Sequence, residues 1–205
     1  MTEFALYAQL GLRHIADPAG YDHILFVAVL AVSHPPAAWR RLVWLVTAFT
    51  VGHSVTLALA TLDVLRLSAA LVELFIPVTI LLAAVHVAWT QRRPANIRPE
   101  RFMEAARHEV PRLALAALFG LVHGLGFSSF LRVLLGGEES LAVPLLAFNL
   151  GLEAGQLLIL AVVVLVGVAA ERVGRLSRRS WVFMVTAVAG LAALHLVVQR
   201  LPPLR

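Results

Sequence analysis

Within ten residues, His14-Ile15-Ala16-Asp17-Pro18-Ala19-Gly20-Tyr21-Asp22-His23, the chain carries two imidazoles and two carboxylates, just ahead of a long apolar run. Imidazole and carboxylate together suit zinc, copper, iron or nickel, and a carboxylate beside a histidine is a common way of orienting a metal ligand. The plain alternative is that Asp17 and Asp22 only cap helices, as Asp often does. Four further ionisable groups, His53, Glu73, His123 and Glu153, lie inside apolar runs of their own. A charged side chain at the centre of a bilayer costs roughly 2.5–3.5 kcal/mol on insertion scales, so each is a functional candidate by default.

The elements that must position these groups are membrane helices. Of 205 residues, 60% are hydrophobic and only 14% charged, and the mean hydropathy is +0.86. That composition is outside the range of a soluble core. Apolar runs of about 20 residues suit a helix crossing about 30 Å of hydrocarbon, and lipid leaves a helical bundle as the home for so many backbone groups. The expected fold is an all-α polytopic bundle forming one integral-membrane domain over residues 1–205. It has about six transmembrane helices, near 21–37, 42–62, 67–89, 113–135, 141–170 and 181–199. Residues Thr2 to Ile15 are too short to span and are expected to lie at the interface or dip in, with Asp17-Pro18-Ala19-Gly20 as a breaker. There is no cysteine, so any metal is held by His, carboxylate, amide or backbone oxygen.

All 17 basic residues are arginine, and 12 of them fall in the segments after the first, third and fifth spans. Under the positive-inside rule this puts those segments in the cytoplasm and both termini outside. The net charge of +5 therefore reflects topology rather than nucleic-acid binding, and lipid is the expected surrounding partner. The basic segment Gln91 to Arg112 reads as solvated or lipid-facing. The N-terminus, with Glu3, no basic start and no small-residue cleavage site, does not read as a cleavable signal peptide. His34 and His108 fall in cytoplasmic segments and read as solvated, and His86 and His195 as interfacial.

At 1.5 Å rise per residue, His53, His123 and Glu153 lie about 14–18 Å below the outer ends of their spans, with Glu73 higher at about 9 Å. A polar path can be drawn from an outer mouth of His14, Asp17, Asp22 and His23, past Glu73, to a midplane layer of His53, His123 and Glu153. Asn149, Glu153 and Gln156 share one helical face. Gly151 with Gly155, and Gly120 with Gly124, are small-x-x-x-small patterns that permit close helix approach, and Ser54 could bond a carbonyl or the His53 imidazole.

Gly11-Leu12-Arg13-His14-Ile15 with Gly20-Tyr21-Asp22-His23, Thr47-Ala48-Phe49-Thr50-Val51-Gly52-His53-Ser54, Phe119-Gly120-Leu121-Val122-His123-Gly124-Leu125-Gly126, and Phe148-Asn149-Leu150-Gly151-Leu152-Glu153-Ala154-Gly155-Gln156 together resemble the HupE/UreJ family of bacterial membrane proteins. The resemblance covers nearly the whole chain. It implies an inner-membrane protein associated with hydrogenase or urease maturation, generally regarded as a nickel or cobalt permease. It also implies His14, Asp22, His23, His53 and His123 as metal-binding, and Glu153 and Asn149 less firmly. The His14…Asp22-His23 arrangement is also similar to the nickel/cobalt transporter signature, in which four residues separate His from Asp-His. Here seven do, so that site's geometry does not carry over.

The leading expectation is a Ni²⁺ or Co²⁺ permease. Its metal ligands are drawn from His14, Asp22, His23, His53, His123 and Glu153, with Asp17, Ser54, Glu73, Asn149 and Gln156 along the path or behind the ligands. The rival is an intramembrane zinc hydrolase acting on a lipid or other amphiphile, because three histidines and a carboxylate can hold zinc with one open position. Homo-oligomerisation, direction of transport and energy coupling stay open.

Overall fold

The computed structural model describes residues 2–90, 101–135 and 140–201, and their side chains except those of 101–109, 129, 132 and 135. Gln91 to Glu100, Glu138 and Glu139, and the side chain of His108, on which parts of the topological reading rest, lie outside the described residues.

The described chain is helical: α1 Glu3–Ala16, α2 Asp22–Val32, α3 Trp39–Thr61, α4 Ala69–Thr90, α5 Arg101–Gly126, α6 Ser128–Leu135, α7 Ala142–Arg172 and α8 Arg178–Arg200. Four of these, α3, α4, α7 and α8, are long and apolar enough to cross a membrane. Large apolar side chains cover their outer surfaces, among them Trp44, Val55, Phe75, Leu82, Leu165 and Leu191, each well exposed. Such an apolar exterior suits lipid.

Local chemistry sets the helix limits. Thr2 caps α1 by accepting from the Ala5 N–H, and Ser177 caps α8 by accepting from Ser180, each satisfying one of the free donors of a first turn. After α3 and α7 the chain reverses through Asp63 and Arg175 at positive φ, with the Val64 N–H returning to the Leu59 carbonyl and Leu176 to Ala170, a closure that satisfies the last carbonyls. Pro77 inside α4 has no N–H for the Glu73 carbonyl. Arg200 of α8 donates to that carbonyl instead, at 2.7 Å.

Two packed pairs, both parallel, organise the bundle. In α3/α5, a Cβ on Gly52 would run into the Ala117 carbonyl, one on Gly120 into Phe49, and one on Gly124 into His53 and Thr56. In α1/α7, Gly11 meets the Phe148 carbonyl, Gly151 the Ala8 carbonyl, and Gly155 the side chain of Ile15. Glycine is required at these crossings because backbone touches backbone. The rising residue numbers on both partners show that α1 runs the same way as α7.

Between its two expected placements, α1 takes the second. It dips in beside the first half of α7, reaching Gly155, about 20 Å along that helix at 1.5 Å per residue. α2 then continues beside the second half, where Val27 and Ala31 pack in one cluster with Leu160 of α7. Together α1 and α2 form a broken helix as long as α7, and the break at Asp17–Tyr21 lies near mid-bundle. The expected outer mouth is thereby corrected: His14, Asp22 and His23 sit at the level of the midplane layer. The expected single span over 113–135 is likewise broken, at Phe127 between α5 and α6.

Candidate metal centre

Three of the four histidines that matter lie beside a break. His14 is in the last turn of α1, His23 in the first turn of α2, and His123 in the last turn of α5. His53 comes from the middle of α3 and faces them because Gly52, Gly120 and Gly124 let α3 and α5 touch. Ring centroids are 4.8 Å apart for His14 and His23, 6.1 Å for His14 and His53, 6.2 Å for His23 and His53, and 5.1 Å for His23 and His123. His53 and His123 have no solvent exposure, and His23 has 5%. Phe127, the residue at the α5/α6 break, lies against His14 with centroids 4.0 Å apart.

One ligand atom from each of His14, His23 and His53 falls within 4.8 Å of the others. Ligands about 2.1 Å from one ion stand about 3.4 Å apart in a tetrahedral site, so closing this set takes shifts of roughly one ångström. Six ring nitrogens are buried with no hydrogen-bond partner among the described residues: His14 Nε2, both of His23, both of His53, and His123 Nδ1. An unsatisfied buried polar atom costs roughly 1–3 kcal/mol, so a fold keeps six of them together only where something else satisfies them. A metal ion fits, because neutral imidazoles offer lone pairs to one centre.

Asp22 adds the charge. Its Oδ1 accepts from the His23 N–H at 2.9 Å and lies 3.1 Å from His23 Nδ1, close but not aligned as a hydrogen bond. A carboxylate suits the positive N-terminal end of α2, while the carbonyl ends of α1 and α5 beside the cluster favour a cation.

The remaining expected residues separate from this cluster. Glu153 is not part of it: its carboxylate accepts from the Thr47 hydroxyl at 2.6 Å. Gln156, fully buried, pairs with Thr50 at 2.6 Å, and the Asn149 amide donates to the Leu145 carbonyl. Its azimuth turns Glu153 to Thr47 of α3. Ser54 donates to the Thr50 carbonyl and Thr56 to the Gly52 and His53 carbonyls, so neither hydroxyl donates to the His53 imidazole. Asp17 is exposed and accepts from the Ala19 N–H, a turn cap. Glu73 is exposed on α4, away from the path drawn through it.

His34, expected to be solvated, is buried. Its ring nitrogens meet Ser33 Oγ at 2.9 Å and Arg112 at 3.3 Å, and Arg178 donates to its carbonyl at 2.6 Å. It lines a cavity of about 70 Å³ that also includes His86, Thr90, Phe26 and Phe119. Phe26 touches His123, its ring 5.3 Å away, and packs on Phe119. On the other side a cavity of about 440 Å³ between α4 and α5/α6 reaches Leu125 and Gly126. Two groups that sequence reasoning passed over stand behind the cluster: Thr79 of α4, 3.0 Å from His123 Nε2, and the Phe26–Phe49 pair flanking His123. Thr79 was visible as a lone hydroxyl two residues after Pro77 in an apolar span.

A family model described as HupE / UreJ protein matches residues 1–200. The chain belongs to the HupE/UreJ family. No curated protein and no solved structure matches it. In this HupE/UreJ protein the four motif segments are the ones that converge, since His14 and His23, His53, and His123 each come from a different one. The fourth, around Asn149 to Gln156, supplies the helix on which α1 and α2 are mounted.

Proposed function

We propose that this protein carries a divalent transition-metal ion, Ni²⁺ or Co²⁺, across the bacterial inner membrane, in support of nickel- or cobalt-dependent enzyme maturation. The observation that carries the reading is the convergence of four imidazoles, from four helices, with six buried ring nitrogens that have no hydrogen-bond partner among the described residues. His14, His23 and His53 are the ligands, His123 completes the set, and Asp22 supplies negative charge and orients His23. Family membership favours nickel or cobalt over zinc. The arginine-rich end of the bundle, with Arg40, Arg41, Arg172 and Arg175, faces the cytoplasm, which puts both termini outside.

Broken helices at mid-bundle support transport, because freed backbone at that depth is tolerated where it lines a site. An ion entering from the larger cavity by Gly126 meets the histidines and leaves past Phe26 and Phe119 into the cavity lined by His34 and His86. Imidazole must be unprotonated to bind, so loading weakens as pH falls. The rival zinc-hydrolase reading draws on the same three-imidazole geometry. It predicts one tightly held zinc and no flux.

The deciding experiment is metal uptake into proteoliposomes containing the wild type or His53→Ala. Saturable flux of Ni²⁺ or Co²⁺, lost in the variant, establishes the permease. Absence of flux, with about one retained zinc per chain as a catalytic site would hold, overturns it in favour of the enzyme.

A further inference from the structure

The hydroxyl groups nearest the histidines mostly serve their own helices. Ser54 and Thr56 return to carbonyls of α3, as Ser and Thr in apolar helices commonly do. Thr79 of α4 is different because one of its two contacts crosses to another helix. Its Oγ1 donates to the Ile76 carbonyl at 2.7 Å and lies 3.0 Å from His123 Nε2. A hydroxyl has one proton and two lone pairs. The shorter bond to Ile76 uses the proton, so Thr79 accepts from His123, and Nε2 must carry the hydrogen.

A neutral imidazole carries one ring hydrogen, which leaves His123 Nδ1 as a bare lone pair. That atom is buried and has no hydrogen-bond partner among the described residues. Phe26 and Phe49 flank the ring at centroid distances of 5.3 and 5.2 Å, and His23 stands edge-on at 5.1 Å.

We infer that Thr79 is a positioning residue. It fixes His123 in the Nε2–H tautomer and so presents Nδ1 to the ion held by His14, His23 and His53. The inference rests on the metal-site reading, and it ties α4, which supplies no ligand, to the affinity of the site. Outer partners of this kind typically change metal affinity 10- to 100-fold when removed.

The test begins without metal. In ¹⁵N-histidine spectra of the full-length protein in micelles, with His123 assigned by difference against His123→Gln, the expected signature is a protonated Nε2 and a bare Nδ1. Thr79→Val, similar in shape but lacking the acceptor, should lose that single-tautomer signature and bind Ni²⁺ about 10- to 100-fold more weakly; Thr79→Ser should restore both. A protonated Nδ1 in the wild type overturns the inference. So does a Thr79→Val spectrum unchanged from wild type, or unchanged Ni²⁺ affinity in that variant while the wild type binds. A wild type that binds no Ni²⁺ sinks the transport reading instead, and the metal-free spectrum still decides the role of Thr79.

Discussion

Two polar layers lie inside this bundle, and they are built on opposite terms. Between α3 and α7, Thr47 meets Glu153 and Thr50 meets Gln156, each through a hydrogen bond of 2.6 Å. One helical turn away on α3, His53 has neither ring nitrogen bonded among the described residues, and His14, His23 and His123 face it, each with at least one buried ring nitrogen likewise unpartnered. Polar groups that hold membrane helices together find partners and are worth about 0.6–1.7 kcal/mol each. Polar groups that serve an ion are kept from one another. The contrast separates structural from functional residues more sharply than burial does, because Gln156 and His53 are equally buried.

His53→Ala breaks the contrast most. It should lower Ni²⁺ or Co²⁺ affinity by more than about 100-fold, beyond the range typical of outer-sphere changes, as read by equilibrium dialysis of the purified protein. Gly124→Val comes next. Its side chain would press on the His53 carbonyl and Thr56, so thermal unfolding in detergent should show a loss of about 1–3 kcal/mol, the usual cost of overpacking, together with weaker metal binding. Asp22→Asn should keep the fold and reduce affinity about 10- to 100-fold, since it removes charge beside His23 rather than a principal ligand.

The paired layer should behave in reverse. Thr50→Val should cost roughly 1 kcal/mol of stability and leave metal affinity within a factor of about three, an estimate for a residue outside the ligand shell. A larger change in affinity than in stability would erase the distinction between the layers. The smallest effect is expected for Arg66→Ala, which removes the exposed pair with Asp63: neither stability nor binding should move measurably.

Much of the site was legible because an imidazole inside an apolar run has few structural uses, which singled out His53 and His123. The glycine spacing also marked α5 and α7 as helices whose backbones are closely approached, but not which helices approach them. The position of His14, Asp22 and His23 was not legible. Asp17-Pro18-Ala19-Gly20 carries the signature of a surface loop, and a segment of 14 residues looks too short to cross. Only packing against α7 reveals α1 and α2 as halves of one broken helix. Glu153 and Glu73 show the limit of counting residues from a helix end: rise fixes depth, but the side a residue faces depends on how helices cross. Thr79 escaped because threonine in an apolar helix is ordinary until its second contact is seen.

The central claim is that the histidine cluster is left unsatisfied for the sake of an ion. It is tested most directly by the thermal stability of the wild type and His53→Leu, each with and without Ni²⁺. A ligand at 100 times its Kd stabilises the native state by about 2.7 kcal/mol. The wild type should therefore gain stability with metal, while His53→Leu gains none and without metal is at least as stable as the wild type. If His53→Leu were instead destabilised without metal, as Thr50→Val should be, and Ni²⁺ left the wild type unchanged, the histidines would be structural and the claim contradicted.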